Sequence, residues 1–256
     1  SPFVFQFAVV GENVTLLSPN AAVSTGDAVF FMATEGFYVY KGAIQRLKCS
    51  VLDYVFSGLD RGQEFKVFAT NNPDDSEVTW YYPEGTSQSD VNRYVTYNYA
   101  EDLWTIGSLD RGSWIQATTR TYPIAASNDT VNVETNYLYN QEFGTDAEGV
   151  EMAPYIESGR MPLGDGESLE FLSRFIPDFR FSGNEDNVNF NVVIKGSNFP
   201  LEAPTTLYTS TVLADTKQSH VRVRAREIIL RVEGTGTGYG WTMGDFRFDL
   251  RTDGRR

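Results

Sequence analysis

The stretch RYVTYNYAEDLWTIG, residues 93–107, places a short acidic interruption between two runs of strand-forming residues. Tyr, Val, Thr and Trp favour a pleated, half-buried surface, whereas Ala100, Glu101 and Asp102 supply the polar segment at which a strand reverses. The stretch therefore predicts a β-hairpin with its turn at residues 100–102.

The same pattern occurs three times along the first part of the chain. Around Tyr38, Tyr94 and Tyr137 lie an apolar strand, a loop of variable length, a short strand built on Tyr-Val or Tyr-Leu, and a polar turn. The tyrosines are 56 and then 43 residues apart, and repeats of roughly 40 to 50 residues with several strands each are typical of propeller blades. We therefore predict that residues 1–154 form consecutive blades of a β-propeller, with the three tyrosines on equivalent strands. A plain β-sandwich with irregular hairpins is the alternative.

The number of repeats bears on the extent of the protein. Propellers close with about four to eight blades, whereas residues 1–154 supply some three, and the chain begins Ser-Pro-Phe without an initiator methionine. We therefore expect the sequence to be the C-terminal portion of a longer protein that contains further blades.

The second part of the chain has longer strands with clean alternation. Phe246 and Phe248 alternate with Arg247 and Asp249, which is the pattern of a strand with one buried and one solvated face. We predict that residues 155–256 form an antiparallel β-sandwich or jelly-roll-like domain, which makes the whole chain all-β.

The composition agrees with an all-β protein that has real hydrophobic cores. The chain has 256 residues, 41% apolar and 14% aromatic, with 22 glycines and few helix-favouring runs. One short helix is expected near Leu47, Val51, Tyr54 and Val55, which have a spacing close to 3.6 residues. No apolar run approaches the roughly 18 residues of a membrane helix. We therefore predict that the chain does not insert into a membrane. We also predict that it folds in the cytoplasm, because its single cysteine cannot form an internal disulfide.

The charge balance argues against one class of partner. The net charge is −13 and the pI is about 4.5, so the surface as a whole repels nucleic acid. Sequence-specific DNA or RNA binding is therefore disfavoured.

We predict no catalytic residues, metal or cofactor. The acidic pairs Asp74-Asp75, Glu101-Asp102 and Asp165-Glu167 lie among turn-forming residues, where solvated carboxylates are expected. Residues 146–151 and 164–168 resemble fragments of calcium loops but lack the alternating oxygen ligands that such loops need. The single cysteine, Cys49, has apolar neighbours and predicts a small buried side chain, and the single histidine, His220, is distant in sequence.

One charged pattern differs from the rest of this acidic chain. In HVRVRARE, Arg222, Arg224 and Arg226 alternate with Val221, Val223 and Ala225, and Arg231 follows five residues later. We predict that the four arginines form a docking surface for an acidic neighbour, which could be another copy of the chain. A solvated strand face is the alternative.

Several stretches, spread over nearly the whole chain, resemble one family of proteins. The similarity runs through FFMATEGFYVYKGAIQRLKCSVLDYVF (residues 30–56) and RFIPDFRFSG (residues 174–183). Its most specific parts are NRYVTYNYAEDLW (residues 92–104) and the terminal DLRTDGRR (residues 249–256). The family comprises tail hub or nozzle components of short-tailed phages, built around a β-propeller.

The resemblance implies a structural role in the virion tail. It implies a ring of six subunits that extends the DNA conduit below the portal and adaptor, contacts tail fibres or spikes, and helps to retain and deliver the genome. It implies no catalytic residues, and it leaves open whether the position is an adaptor-proximal hub or a distal nozzle.

Two other functions compete with this one. The 14 Tyr and four Trp residues could stack on sugars, as in a carbohydrate-binding or polysaccharide-depolymerising propeller. The stretch VTYNYAEDLWTIGSL also resembles the blade motif of Kelch-type interaction propellers, which would act as monomers.

Overall fold

The computed structural model describes residues 9–86, 89–117, 120–128, 137–146, 149–165, 167–184, 188–199 and 201–254. Within these ranges the protein is all-β, with 53% strand and 6% helix, which confirms the all-β class predicted from the sequence. The strands form several antiparallel sheets, and no sheet built from the described residues closes on itself. The chain divides into two compact units, residues 1–143 and residues 144–256.

The described part of the first unit contains three successive sheets in which each strand pairs with the next one along the chain. The first sheet consists of β1 (Ala22–Ser24), β2 (Val29–Ala33), β3 (Gly36–Tyr40) and β4 (Ile44–Arg46). The second consists of β5 (Phe68–Asn72), β6 (Glu77–Pro83), β7 (Val91–Asn98) and β8 (Leu103–Ser108). The third consists of β9 (Arg111–Ile115), β10 (Ile124–Ser127) and β11 (Leu138–Asn140).

The first two sheets place the repeated tyrosine at the same position. Tyr38 on β3 lies opposite Phe31, with ring centroids 5.6 Å apart. Tyr94 on β7 lies opposite Tyr81, with ring centroids 6.1 Å apart. Tyr137 lies one residue before β11, which is the third strand of its sheet, and is therefore not part of that strand.

The first strands of successive sheets are neighbours. A parallel bridge joins Asn20, just before β1, to Phe68 at the start of β5, and the Ala69 N–H donates to the Asn20 carbonyl at 2.8 Å. Strand β1 contacts β5, and β5 in turn contacts β9. The first strands of the three sheets therefore lie side by side in one row.

The core of the first unit gathers aromatic side chains from both four-stranded sheets. Trp80 and Phe37 are fully buried, with ring centroids 4.8 Å apart. The Trp80 Nε1–H donates to the Ala21 carbonyl at 3.0 Å, so the one polar atom of the ring is satisfied. The two sheets thus share a single hydrophobic cluster.

A short helical segment connects these two sheets. It comprises α1 (Leu52–Gly58) and a 3-10 helix (Arg61–Lys66). Val55 is fully buried, whereas Tyr54 is 44% exposed. The predicted short helix is therefore confirmed, although only part of its apolar stripe reaches the core.

The hairpin predicted from residues 93–107 is confirmed. Strands β7 and β8 pair in continuous register from Arg93 opposite Ser108 to Asn98 opposite Leu103. The Asn98 side-chain oxygen accepts hydrogen bonds from the N–H groups of the next turn residues, and Asp102 has a positive φ of 56°. Asparagine stabilises the turn here because its side chain mimics a backbone acceptor.

The second unit contains two larger sheets and a two-stranded ribbon. The five-stranded sheet comprises β12 (Tyr155–Glu157), β13 (Met161–Pro162), β16 (Asn189–Ser197), β17 (Thr205–Val212) and β19 (Glu227–Thr235). The three-stranded sheet comprises β14 (Glu170–Ile176), β18 (Ser219–Ala225) and β21 (Arg247–Thr252). The ribbon comprises β15 (Phe179–Gly183) and β20 (Tyr239–Met243).

Both larger sheets contribute to one hydrophobic core. The three-stranded sheet supplies buried Leu172, Phe175 and Val223, and the five-stranded sheet supplies buried Phe190 and Ile194. The alternation seen in the sequence thus separates a face turned to this core from an outer face.

Two short connections carry the chain between sheets. Arg226 alone separates β18 from β19, although these strands belong to different sheets. Residues 236–238 join β19 to β20, with positive φ at Gly236 and Gly238. Because β19 pairs with β16 while β20 pairs with β15, this glycine-rich stretch is a crossing between sheets and not a hairpin loop.

Candidate functional site

The predicted arginines fall into three different environments. Arg222 and Arg224 are exposed on β18, between Val221, Val223 and Ala225, which are all buried. The predicted alternation along this strand is therefore confirmed. Arg226 lies at the corner after β18, and Arg231 lies on β19 in the other sheet. The structure brings the first two together and separates them from Arg231.

Arg231 belongs to an ion-pair network of its own sheet. Its Nε lies 2.7 Å from Glu233 and its Nη1 lies 3.3 Å from Glu157, which also binds Lys195 Nζ at 2.7 Å. Burial opposes ionisation of Glu157, but hydrogen bonds and charges from Lys195 and Arg231 hold its pKa below the usual value. The Arg231 guanidinium also lies 3.9 Å from the ring centroid of Tyr155. These contacts explain its position without a partner molecule.

Arg226 is held at the corner between the two sheets. Its Nη1 donates to the Asn198 carbonyl at 3.3 Å, and its guanidinium lies 5.5 Å from the ring centroid of Phe199. The side chain therefore packs against the connection that follows β16.

The outer face of the three-stranded sheet brings further arginines beside Arg222 and Arg224. Phe171 on β14 is paired with both Arg224 and Arg251, and directly opposite residues of antiparallel strands project from the same face. Arg174 and Arg247 lie farther along the same outer face. We define the basic face as Arg174, Arg222, Arg224, Arg247 and Arg251.

Part of the charge of the basic face is neutralised locally. Arg174 Nη2 lies 2.6 Å from Asp249, and Arg224 Nε lies 2.8 Å from Asp253. The Arg251 guanidinium lies 4.6 Å from the ring centroid of Phe171.

Three members of the basic face, Arg222, Arg247 and Arg251, are exposed and form no ion pair with any residue that the structure describes. The basic face therefore has five guanidinium groups but only two carboxylates paired with them in the described part of the chain. The basic face keeps an excess of positive charge.

The first unit carries the opposite feature, a group of neighbouring carboxylates. Burial raises the pKa of Glu77 above its usual value, and the carboxylates of Asp75 and Glu142 raise it further, against a hydrogen bond from Asn98. The pKa of Glu142 is raised as well, by burial and by Asp75. None of the three forms an ion pair within the described part of the chain. We define Asp75, Glu77 and Glu142 as the acidic cluster.

The other predicted acidic residues lie in turns. Asp74 is exposed between β5 and β6, and Glu101 is exposed between β7 and β8. Asp165 Oδ1 accepts hydrogen bonds from the N–H groups of Glu167 and Ser168, as in a capped turn. Within the described ranges, no three or more His, Cys, Asp or Glu side chains are arranged to hold a metal ion.

Cys49 is half-buried against the core of the first unit. Burial raises the pKa of its thiol to about 11, against a backbone hydrogen bond from Val51 that lowers it. The thiol is therefore protonated at neutral pH and is a poor nucleophile. His220 is exposed on β18, with its Nε2 3.5 Å from Gln218 Nε2.

A groove of about 580 Å³ lies along the row of first strands in the first unit. Its apolar wall includes Phe65, Phe68 and Trp114. Phe65 is 62% exposed, which leaves one aromatic ring available at the surface of the groove.

The polar wall of the groove is close to neutral. Lys66 and Asp90 form an ion pair at 2.5 Å, and Asn20 and Asn128 add amide groups. Asn128 Nδ2 donates to the Val91 carbonyl at 2.5 Å. Its Oδ1 is shielded from solvent and receives no hydrogen bond from the described residues. The groove thus combines aromatic rings with amides. The sequence does not predict it, because the residues that line it come from five separate segments of the chain.

No helix in the described ranges is long and apolar enough to cross a membrane. Comparison with models of known protein families and with curated protein sequences found no match to this chain.

Proposed function

We propose that the protein is a structural component of a bacteriophage tail, a subunit of the hub or nozzle ring. In this role it extends the DNA conduit below the portal and adaptor and helps to retain and deliver the genome. The proposal starts from the resemblance of residues 92–104 and 249–256 to tail proteins of short-tailed phages. The observation that carries it is the row of adjoining first strands β1, β5 and β9.

This row supports the finer fold assignment. In a β-propeller, four-stranded antiparallel blades are arranged around an axis, and the sheets β1–β4 and β5–β8 are meanders of this kind with Tyr38 and Tyr94 in matching places. We propose that the first unit is part of a propeller. The second unit, with two sheets around one core, fits a β-sandwich or jelly-roll-like domain.

The proposed partners are further copies in a ring of six, the portal or adaptor, and tail fibres or spikes. The location is the tail of the virion, after assembly in the bacterial cytoplasm. Of the four arginines predicted to form the interface, Arg222, Arg224, Arg226 and Arg231, we retain the first two, because they lie exposed on the same strand. Arg226 packs at the corner after this strand, and Arg231 belongs to the ion-pair network of the other sheet. The acidic excess of the chain supports a conduit that does not bind the passing duplex.

The ring is tested by measuring mass. Native mass spectrometry of the purified chain, together with mass spectrometry of isolated phage tails, should give one defined oligomer and place the chain in the virion. A chain that stays monomeric and is absent from purified particles would contradict the proposal.

The groove supports a second candidate, a carbohydrate-binding or polysaccharide-depolymerising protein. The exposed ring of Phe65 and the amides are suited to sugar faces and hydroxyl groups, and Asn128 Oδ1 is an acceptor without a donor in the described part of the chain. Incubation with capsular polysaccharide or lipopolysaccharide, followed by measurement of reducing ends, separates the two functions. Measurable turnover that is lost in Trp114→Ala would favour the second candidate.

A further inference from the structure

We propose that the basic face of one copy docks against the acidic cluster of a second copy, so that successive subunits contact one another head to tail. This inference rests on the proposed function, because it specifies which surfaces join the subunits of the ring. The partner that binds the basic face is then a second copy of this chain, which makes the contact through residues of its first unit.

The basic face has the chemistry to recognise carboxylates. Five guanidinium groups lie on one side of three strands, and an arginine presents a planar fork of donors that binds a carboxylate through two hydrogen bonds. Arg222, Arg247 and Arg251 are exposed and form no ion pair with the described residues. Arg251 packs on the Phe171 ring, whereas Arg222 and Arg247 are available for a partner.

The acidic cluster has an excess of negative charge that complements the positive charge of the basic face. Asn98 lies opposite Glu77 in the strand register and donates to the Asp75 carbonyl at 3.1 Å, which brings these two acidic residues together. Burial and the Asp75 carboxylate raise the pKa of Glu77 and of Glu142, with no cation between the like charges in the described part of the chain. The imbalance extends over the whole first unit, where residues 1–143 contain seventeen acidic and eight basic residues. An arginine brought to the cluster by another molecule would relieve this repulsion.

The charge distribution favours a second copy over nucleic acid. A chain with net charge −13 repels a polyanion over most of its surface, whereas an acidic protein surface of limited size can approach the basic face alone. The basic face and the acidic cluster belong to different units of the chain. A contact between two different surfaces is heterologous, and such contacts generate closed rings when the rotation between subunits allows closure.

Charge reversal on each side provides a direct test. The first variant carries Arg222→Glu and Arg247→Glu, and the second carries Asp75→Lys and Glu142→Lys. In either variant alone, like charges meet across the contact, so self-association measured by sedimentation velocity at low salt should weaken by at least roughly tenfold. An equimolar mixture should assemble again, because each variant then offers the surface that the other requires.

Matched controls separate this contact from an effect of net charge. Lys41→Glu with Lys48→Glu changes the net charge as the first variant does, and Glu12→Lys with Asp27→Lys changes it as the second does; all four positions are exposed. Both controls should assemble like the wild type, and unchanged melting temperatures would show that every variant is folded.

The outcomes distinguish the contact from the ring itself. A wild-type chain that remains monomeric would overturn both the proposed ring and this contact. A wild-type oligomer that persists in both charge-reversed variants, or a mixture that fails to restore assembly, would overturn only the contact and leave the ring to another surface.

Discussion

Trp104 on β8 stacks on Tyr97 on β7, directly opposite in the strand register, with ring centroids 4.6 Å apart. The same indole lies 4.8 Å from the ring of Phe37 on the first sheet. Its Nε1–H donates to the Lys48 carbonyl at 2.9 Å. One side chain thus joins the hairpin, the neighbouring sheet and the connection between them.

We expect Trp104→Ala to lower the free energy of unfolding by about 3 kcal/mol, because it removes a large aromatic ring from a packed cluster and leaves the Lys48 carbonyl without its donor. Trp104→Phe should restore part of the loss. Urea denaturation measures both values. A loss below about 1 kcal/mol for the alanine variant would show that the cluster contributes little.

Gly107 on β8 faces the ring of Tyr94 so closely that an added Cβ would lie 2.3 Å from ring atoms. We expect Gly107→Ala to destabilise the protein by about 1 to 3 kcal/mol, because the tyrosine ring must move away from its place in the sheet. Gly112→Ala is the control, since its Cβ would meet its nearest neighbour at 3.4 Å. Equal melting temperatures for the two variants would contradict this account.

The arginines of β18 and its corner should differ in their effect on stability. Arg222→Ser removes an exposed charge and should change the free energy of unfolding by less than about 1 kcal/mol. Arg226→Ser should cost more, because it removes packing on Phe199 and a hydrogen bond to Asn198. Thermal unfolding of the two variants tests the order, and a larger loss for Arg222→Ser would reverse the assignment.

Glu77 should destabilise the fold at neutral pH, because its folded-state pKa is raised above the unfolded value and its charged form is disfavoured in the folded protein. This unfavourable contribution is present above the raised pKa and disappears as the pH falls through it. Glu77→Gln should therefore raise the melting temperature at pH 7 and have little effect near about pH 3. Glu101→Gln, at an exposed turn position, serves as the control, and an equal gain in both variants would argue against a specific effect of the cluster.

The chain should not bind duplex DNA measurably at physiological salt. The chain has 34 acidic and 21 basic residues, and this negative excess opposes association with DNA. The basic face, as proposed above, binds a second copy of the chain. A gel-shift titration at about 150 mM salt should show no binding tighter than the roughly micromolar limit of non-specific complexes. Tighter binding that is lost in Arg222→Glu with Arg247→Glu would make the basic face a DNA-binding surface.

Local features were predictable from the sequence because neighbouring residues determine them. The hairpin of residues 93–107 depends on strand propensity and on a turn next to Asn98, and the burial of Val221, Val223 and Ala225 follows from period-two alternation. Both signals lie within a few residues of one another along the chain.

The composition of the basic face was not predictable in the same way. Arg174 and Arg251 join Arg224 because β14 pairs with both β18 and β21, and strand pairing over such sequence distances leaves no local pattern. Arg231 lies close to Arg226 in the run HVRVRAREIILRVEG (residues 220–234), and proximity in the sequence alone groups it with the other arginines. The single residue Arg226 sends the second half to another sheet, which alternation alone does not reveal.

The change of sheet at Arg226 also has a mechanical consequence. Because only one residue links β18 to β19, the connection has no slack that could lengthen before a sheet is disturbed. A tensile force applied to β18 would pass at once to β19 and its long pairing with β16. Under load the two sheets of the second unit would therefore yield together.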